Sequence, residues 1–289
     1  GFLNLLLDSD ERDKILTIID EIVQLSDDER TELAHTLSKT KFTHILSLVK
    51  LLESRHLAVS TIKLLIFDLE KFTNERDHIQ KVVESNYWLF GEKYHLVAAD
   101  ASFEITLSNY LCFLENNDNK KPKIRELNQS EKLRRPDIFI CRKSNTPDLN
   151  SNDDIIEENI IVELKRPNVV IGKDQFRQIE DYMNFIINEE QFNSQLRQWK
   201  FILVGKSVDS FIKGLHISQK DKGKRFLVQA INNFEIYAMT WDDVFRQYAH
   251  RHRNLIERLE FKETIKEELK SKGIQFDKDL SNSLSKEII

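Results

Sequence analysis

The sequence predicts an α/β protein: a strand-bearing core preceded by a run of helices. Three observations predict it. Ile138-Phe139-Ile140 and Ile160-Ile161-Val162 are continuous apolar runs, the pattern of strands buried on both faces. Between 173 and 189, Phe176, Ile179, Met183 and Ile186 recur at spacings of three and four, the period of an amphipathic helix. Residues 199–205, Trp-Lys-Phe-Ile-Leu-Val-Gly, read as a further buried strand ending in glycine.

The elements are taken in chain order. Residues 10–73 read as a series of helices. Ser26 with Glu29 three residues on is a capping box, and Leu33, Leu37, Ile45, Leu48, Leu51, Leu52, Leu64, Leu65 and Leu69 repeat at helical spacing. The core is expected to open near Asn74 with a helix that stops at the apolar run Tyr87-Trp88-Leu89-Phe90 before Gly91. Residues 95–107 alternate as a first strand does, and 108–115 extend it or form a short second element. The strands around Asp137 and Glu163 follow, then the helix over 173–189 and the strand over 199–205. Residues 226–229 and 234–240 add strands, 242–272 read as a long charged helix, and 273–289 as a polar tail. The expected organisation is therefore a helical linker or oligomerisation region over 1–73, a core over 74–272, and the tail.

Composition bounds the function. The chain has 289 residues, 40% of them hydrophobic and 31% charged, enough for a sizeable core with a water-facing surface. No apolar run approaches the ~18–20 residues that cross a bilayer. Cys112 and Cys141 show no metal-ligand spacing and fit a reducing compartment. The chain opens Gly1-Phe2-Leu3-Asn4, which reads as a piece excised from a longer protein. A net charge of −5 argues against a generic nucleic-acid binder. The charge is uneven, however. Residues 1–73 carry 13 acidic and 9 basic groups, and the remainder 35 and 34. Basic residues there cluster at Lys120–Arg125, at Lys132, Arg134 and Arg135, and at Lys220–Arg225, and such clusters track phosphates even when the total is near zero. Arg134, Arg135 and Arg166 flank the apolar runs 138–140 and 160–162 and are the candidate phosphate-binding (DNA-binding) residues. Of the histidines, His216, His250 and His252 are of a type that serves as general base, but none stands at zinc-ligand spacing. The run His250-Arg251-His252-Arg253 reads as phosphate-binding or solvent-facing.

The chemistry is concentrated in two short motifs. Asp137 opens one apolar strand, and 26 residues later Glu163-Leu164-Lys165 closes the next. Side chains alternate along a strand, so Glu163 and Lys165 share a face and Leu164 points the other way. A charged pair at the end of a buried strand is costly unless it is paired or binds an ion. Asp137 and Glu163 are hard oxygen ligands suited to Mg²⁺ or Mn²⁺. Lys165 is of a type to orient a water, lower its pKa or steady charge on a phosphate. Gln178 and Tyr182, four apart on one stripe of the following helix, aim at the same place if that helix packs on the strand bearing Glu163.

Pro136-Asp137, Glu163-Leu164-Lys165 and Gln178-x-x-x-Tyr182, in that order, resemble the PD-(D/E)xK nuclease superfamily, the last element its RecB-like branch. Together with Val83–Tyr94 (Val-Glu-Ser-Asn-Tyr-Trp-Leu-Phe-Gly-Glu-Lys-Tyr), Arg135-Pro136-Asp137 and Val162–Pro167, they look like the C-terminal nuclease domain of the Shedu anti-phage defence proteins. The resemblance covers roughly residues 74–250. It implies a restriction-endonuclease-like core, a central mixed sheet flanked by helices. It also implies a Mg²⁺-dependent (or Mn²⁺-dependent) DNA endonuclease of the bacterial cytoplasm that acts on double-stranded phage DNA and assembles as a homo-oligomer, dimer or tetramer. The superfamily usually adds an acidic residue from the first core helix. Glu75, four before Ile79 and seven before Val82, shares their apolar face, and it is preferred here to Glu84. The implied metal set is Asp137, Glu163, Glu75 and the backbone carbonyl of Leu164. Lys165 positions or activates the water, and Gln178 and Tyr182 steady it or touch the DNA backbone. A long acidic loop, about 143–159 with Asp148, Asp153, Asp154, Glu157 and Glu158, departs from expectation. It would repel DNA, screen the site until displaced, or be a plain solvated hairpin loop. The alternative reading is a nuclease-like module that binds DNA or scaffolds an oligomer without cutting.

Overall fold

The structure is a computed structural model that describes residues 12–99, 101–102, 105–110, 135–144, 156–189, 192–194 and 196–259. By its contacts the chain divides between Ser54 and Arg55 into two units. The first holds helices α1 (Arg12–Gln24) and α2 (Asp27–Lys39) and the start of α3 (Phe42–Lys63). The expected capping box opens α2. Ser26 Oγ accepts from the Glu29 N–H, and the Glu29 carboxylate accepts from the Ser26 N–H at 2.8 Å.

The second unit is built on a six-stranded mixed sheet of β1 (His95–Ala99), β2 (Ile138–Ser144), β3 (Ile156–Leu164), β5 (Arg197–Gly205), β7 (Leu227–Ile231) and β8 (Phe234–Thr240). The strand order is β1-β2-β3-β5-β8-β7. A two-residue pair, β4 (Val170–Ile171) with β6 (Ser207–Val208), lies apart from it. β1, β2 and β3 run antiparallel to one another, β3 is parallel to β5 and β5 to β8, and β7 closes the edge antiparallel. Helix α5 (Lys173–Asn188) makes the crossover from β3 to β5, and α6 (Ser210–Ser218) and α7 (Trp241–Leu259) complete the unit.

Alternation sorts the sheet into two apolar layers. Phe139, Cys141, Ile161, Trp199, Phe201 and Leu203 face α5 and its Phe176, Ile179, Met183 and Ile186. Ile138, Ile140, Ile160, Val162, Leu164, Ile202 and Val204 face the other way. There they meet Val59, Ile62, Leu65 and Ile66 from the end of α3 and the wide turn after it (Leu64–Asp68), and Ile79, Val82 and Val83. These last come from the wide helical turn Glu75–Gln80 and the short helix α4 (Lys81–Ser85). Trp241, Val244, Phe245 and Tyr248 of α7 close that layer.

Several expectations are corrected. The contact boundary falls at Ser54/Arg55 and not at 73: residues 55–68 are helical as expected, but the apolar face of 59–66 is buried against the sheet. The first strand is only His95–Ala99, and residues 105–110 are helical. The supposed loop over 143–159 is shorter, since β2 runs to Ser144 and β3 begins at Ile156. Glu157 and Glu158 are strand residues, paired with Arg197 and Arg142 respectively. Asp148, Asp153 and Asp154 lie outside the described residues, as do Arg134, the 120–125 cluster and the tail from 273. The run at 250–253 is not a phosphate site throughout. His252 is buried, its ring lies against Tyr248 and its Nε2 is 3.0 Å from Glu92, while Arg251 donates to the Leu89 carbonyl at 2.7 Å. With Arg55 over the Trp88 ring, these contacts anchor the Trp-Leu-Phe-Gly segment.

Candidate active site

The register Ile138↔Val162 between β2 and β3 continues one step to set Asp137 opposite Glu163. Lys165 lies one residue past β3, but its N–H still donates to the Val204 carbonyl at 2.8 Å, so the alternation carries through. Glu163 and Lys165 share the α5 side of the sheet, and Leu164 is buried on the other. This is the carboxyl end of parallel strands β3 and β5, where open α/β sheets place their sites. Gly205, at the end of β5, permits the close packing. A Cβ there would lie 2.9 Å from Ile171 Cγ1 and 3.7 Å from Lys165 Cβ.

Three side chains close a ring. Lys165 Nζ donates to Glu163 Oε1 at 2.8 Å and to Gln178 Oε1 at 2.9 Å, and Gln178 Nε2 donates to the same Glu163 oxygen at 2.5 Å. Glu163 Oε2 is buried and has no hydrogen-bond partner among the described residues. Asp137 Oδ2 accepts from the Leu164 N–H at 2.6 Å. Asp137, Glu163 and Lys165 are only 6%, 3% and 8% exposed. Burial drives the Asp137 carboxyl well above its ordinary range, and the neighbouring Glu163 charge adds to this. Glu163 is raised by the same burial, with Lys165 opposing. Two carboxylates in conflict, one with an orphaned oxygen, are a site that gains from a cation.

Among the described residues no group of three or more His, Cys, Asp or Glu side chains is arranged to hold a metal. The acidic donors are thus a pair. A pair fits Mg²⁺ or Mn²⁺, which one or two carboxylates hold together with waters and substrate phosphate. Glu75 stands beside it. Its charge raises both carboxyl pKa values, and its Oε2 accepts from the Arg166 N–H at 2.9 Å. The Glu75–Gln80 turn is wound wider than an α-helix, with Ile79 N bonded to the Asn74 carbonyl five residues back. Such turns frequent functional sites. The same turn aims Gln80, whose Nε2 donates to the Asp137 carbonyl at 3.2 Å and whose buried Oε1 has no partner among the described residues.

The ring opens onto a cleft of about 600 Å³ lined in part by Lys71, Phe72, Glu75, Arg76, Lys165, Arg166 and Gln178. Of the residues the sequence nominates, Asp137, Glu163, Lys165, Gln178 and Glu75 are brought together, and the Leu164 peptide joins them through its N–H. Arg166 lines the cleft, and Arg135 is exposed just before Asp137. Tyr182 is not at the cleft. One turn beyond Gln178, it is buried in the apolar layer under α5. The described ends of the acidic stretch, Ser144 and Ile156, stand at the far end of the β2–β3 hairpin, about 20 Å of strand from Asp137 and Glu163. Sequence reasoning gave no role to Lys71, Arg76 or Gln80. Only Gln80 left a signal, a polar amide within the buried phase of a helix.

Searches of protein-family models, curated proteins and solved structures find no match to this chain. Among the described residues no helix is long and apolar enough to cross a membrane.

Proposed function

We propose that this chain is a divalent-metal-dependent endonuclease that hydrolyses phosphodiester bonds in DNA, on a PD-(D/E)xK core. One observation carries the reading: the Glu163 carboxylate is buried beside Asp137, one oxygen fixed by Lys165 and Gln178 and the other unpartnered, at the head of a cleft rimmed by cations. Asp137 and Glu163 would hold the ion, with the Leu164 carbonyl as a further donor and the Glu75 charge beside the pair. When bound, Mg²⁺ or Mn²⁺ supplies Lewis acidity and a more acidic water. Leu164 N–H fixes the Asp137 carboxylate. Gln178 holds the Lys165 ammonium against Glu163, where it orients the attacking water and steadies charge gathering on the phosphate. Arg166 and Arg135, with Arg134, track the backbone on either side. Phage DNA as target, a bacterial cytoplasmic setting and a homo-oligomeric state complete the proposal, on the strength of the Shedu resemblance.

The test is cleavage of supercoiled and linear duplex with Mg²⁺ and with EDTA. Lys165→Ala is expected to cut about 10²- to 10⁴-fold more slowly, the range for a positioned proton-handling group. Unchanged cutting by the variant, or cutting in EDTA, defeats the assignment.

A further inference from the structure

Phe72 lines the same cleft and is 49% exposed. It sits among Lys71, Arg76 and Arg166, none of which makes an ion pair among the described residues. Its neighbour Phe67 is also partly exposed, but that ring is covered by the Lys206 ammonium and by Phe245. No ring or cation covers Phe72 among the described residues. The backbone that carries the ring is held in place. Phe72 N–H bonds to the Leu69 carbonyl at 2.9 Å, and the next residue, Thr73, is buried with its hydroxyl 2.8 Å and 2.9 Å from the Leu65 and Leu69 carbonyls. An exposed aromatic ring on a fixed backbone, sharing a cleft with cations that make no ion pair among the described residues, is the arrangement that binds single strands, where the cations take phosphates and the ring takes an unstacked base.

We infer that Phe72 is a base-stacking platform, and that the preferred substrate carries an unpaired nucleotide next to the phosphate presented to Lys165. This rests on the nuclease reading and narrows its substrate. The experiment is binding by the full chain, with Ca²⁺ in place of Mg²⁺ to keep strands intact. The probes are a duplex and the same duplex with a short single-stranded gap bearing 2-aminopurine. The wild type is expected to bind the gapped probe about tenfold more tightly, within the range for one stacked base, and to quench its fluorescence. Phe72→Ala should lose both the preference and the quench, and Phe72→Trp should keep both. Equal binding of the two probes by the wild type, or a preference that survives Phe72→Ala, overturns the platform while leaving the nuclease reading in place. Binding of neither probe overturns both.

Discussion

Asp137 and Glu163 are each held above their ordinary pKa by burial, and this has a measurable sign. In the unfolded chain they titrate near about 3.9 and 4.3. Between those values and the raised folded ones, the native state binds more protons than the unfolded state. Unfolding free energy therefore falls as pH rises through that window. Relative to Asp137→Asn, the metal-free wild type is expected to lose stability from pH 5 to pH 8, and the variant to melt higher at pH 8. Thermal melts of both proteins across pH check this, and parallel profiles would show that the two carboxyls are not in conflict. On the proposed function Mg²⁺ would bind the ionised pair, so its stabilisation should grow in the opposite direction, larger at pH 8 than at pH 5.5. A Mg²⁺ shift independent of pH, or one that persists in Glu163→Gln, would place the ion elsewhere. Legibility at this scale followed chemistry. Asp137, Glu163 and Lys165 were readable because charge at the end of an apolar strand needs a reason. Gln178 and Tyr182 were not separable by spacing alone, since a four-residue step keeps one stripe yet moves a full turn, from the cleft into the apolar layer.

Elements with an unbroken period were legible: β3, β5 and α5 lie close to where alternation and the 3.6 period put them. The failures have separate causes. β3 was read as loop at its start because Glu157 and Glu158 look solvated, whereas the strand is sustained there by Arg197 and Arg142, the first of them 40 residues away. β1 was drawn too long because apolar alternation does not show where a strand yields to a helix. The wide turn Glu75–Gln80 left no mark in the sequence, although it helps deliver both Glu75 and Gln80 to the site. Gly205 is the element-scale test. A methyl there meets Ile171 at 2.9 Å and the Lys165 stem, so Gly205→Ala is expected to cost about 1–3 kcal/mol by overpacking and to slow cleavage by displacing the lysine. If melting falls by that amount while cleavage stays at the wild-type rate, the glycine serves packing alone and Lys165 does not depend on it.

At the scale of the molecule, the boundary between the two units was the least legible feature. Helical spacing of leucines runs through α3 without a shift in composition, and nothing local marks Ser54 from Arg55. What marks it is where the apolar side chains go: Val59, Ile62, Leu65 and Ile66 are buried in the layer that also holds Val162, Leu164 and Val204. Two truncations therefore separate. A chain starting at Arg55 keeps both layers of the sheet core and is expected to fold and melt cooperatively. A chain starting at Asn74 loses six buried aliphatic side chains, Ala58, Val59, Ile62, Leu64, Leu65 and Ile66. Each large one costs about 2–5 kcal/mol when cut back even to alanine, against a typical total stability of about 5–15 kcal/mol. It is expected not to fold, shown by a flat thermal melt and rapid proteolysis. A cooperative melt from the Asn74 chain would mean that the segment 55–73 is an attachment to the sheet and not part of its core.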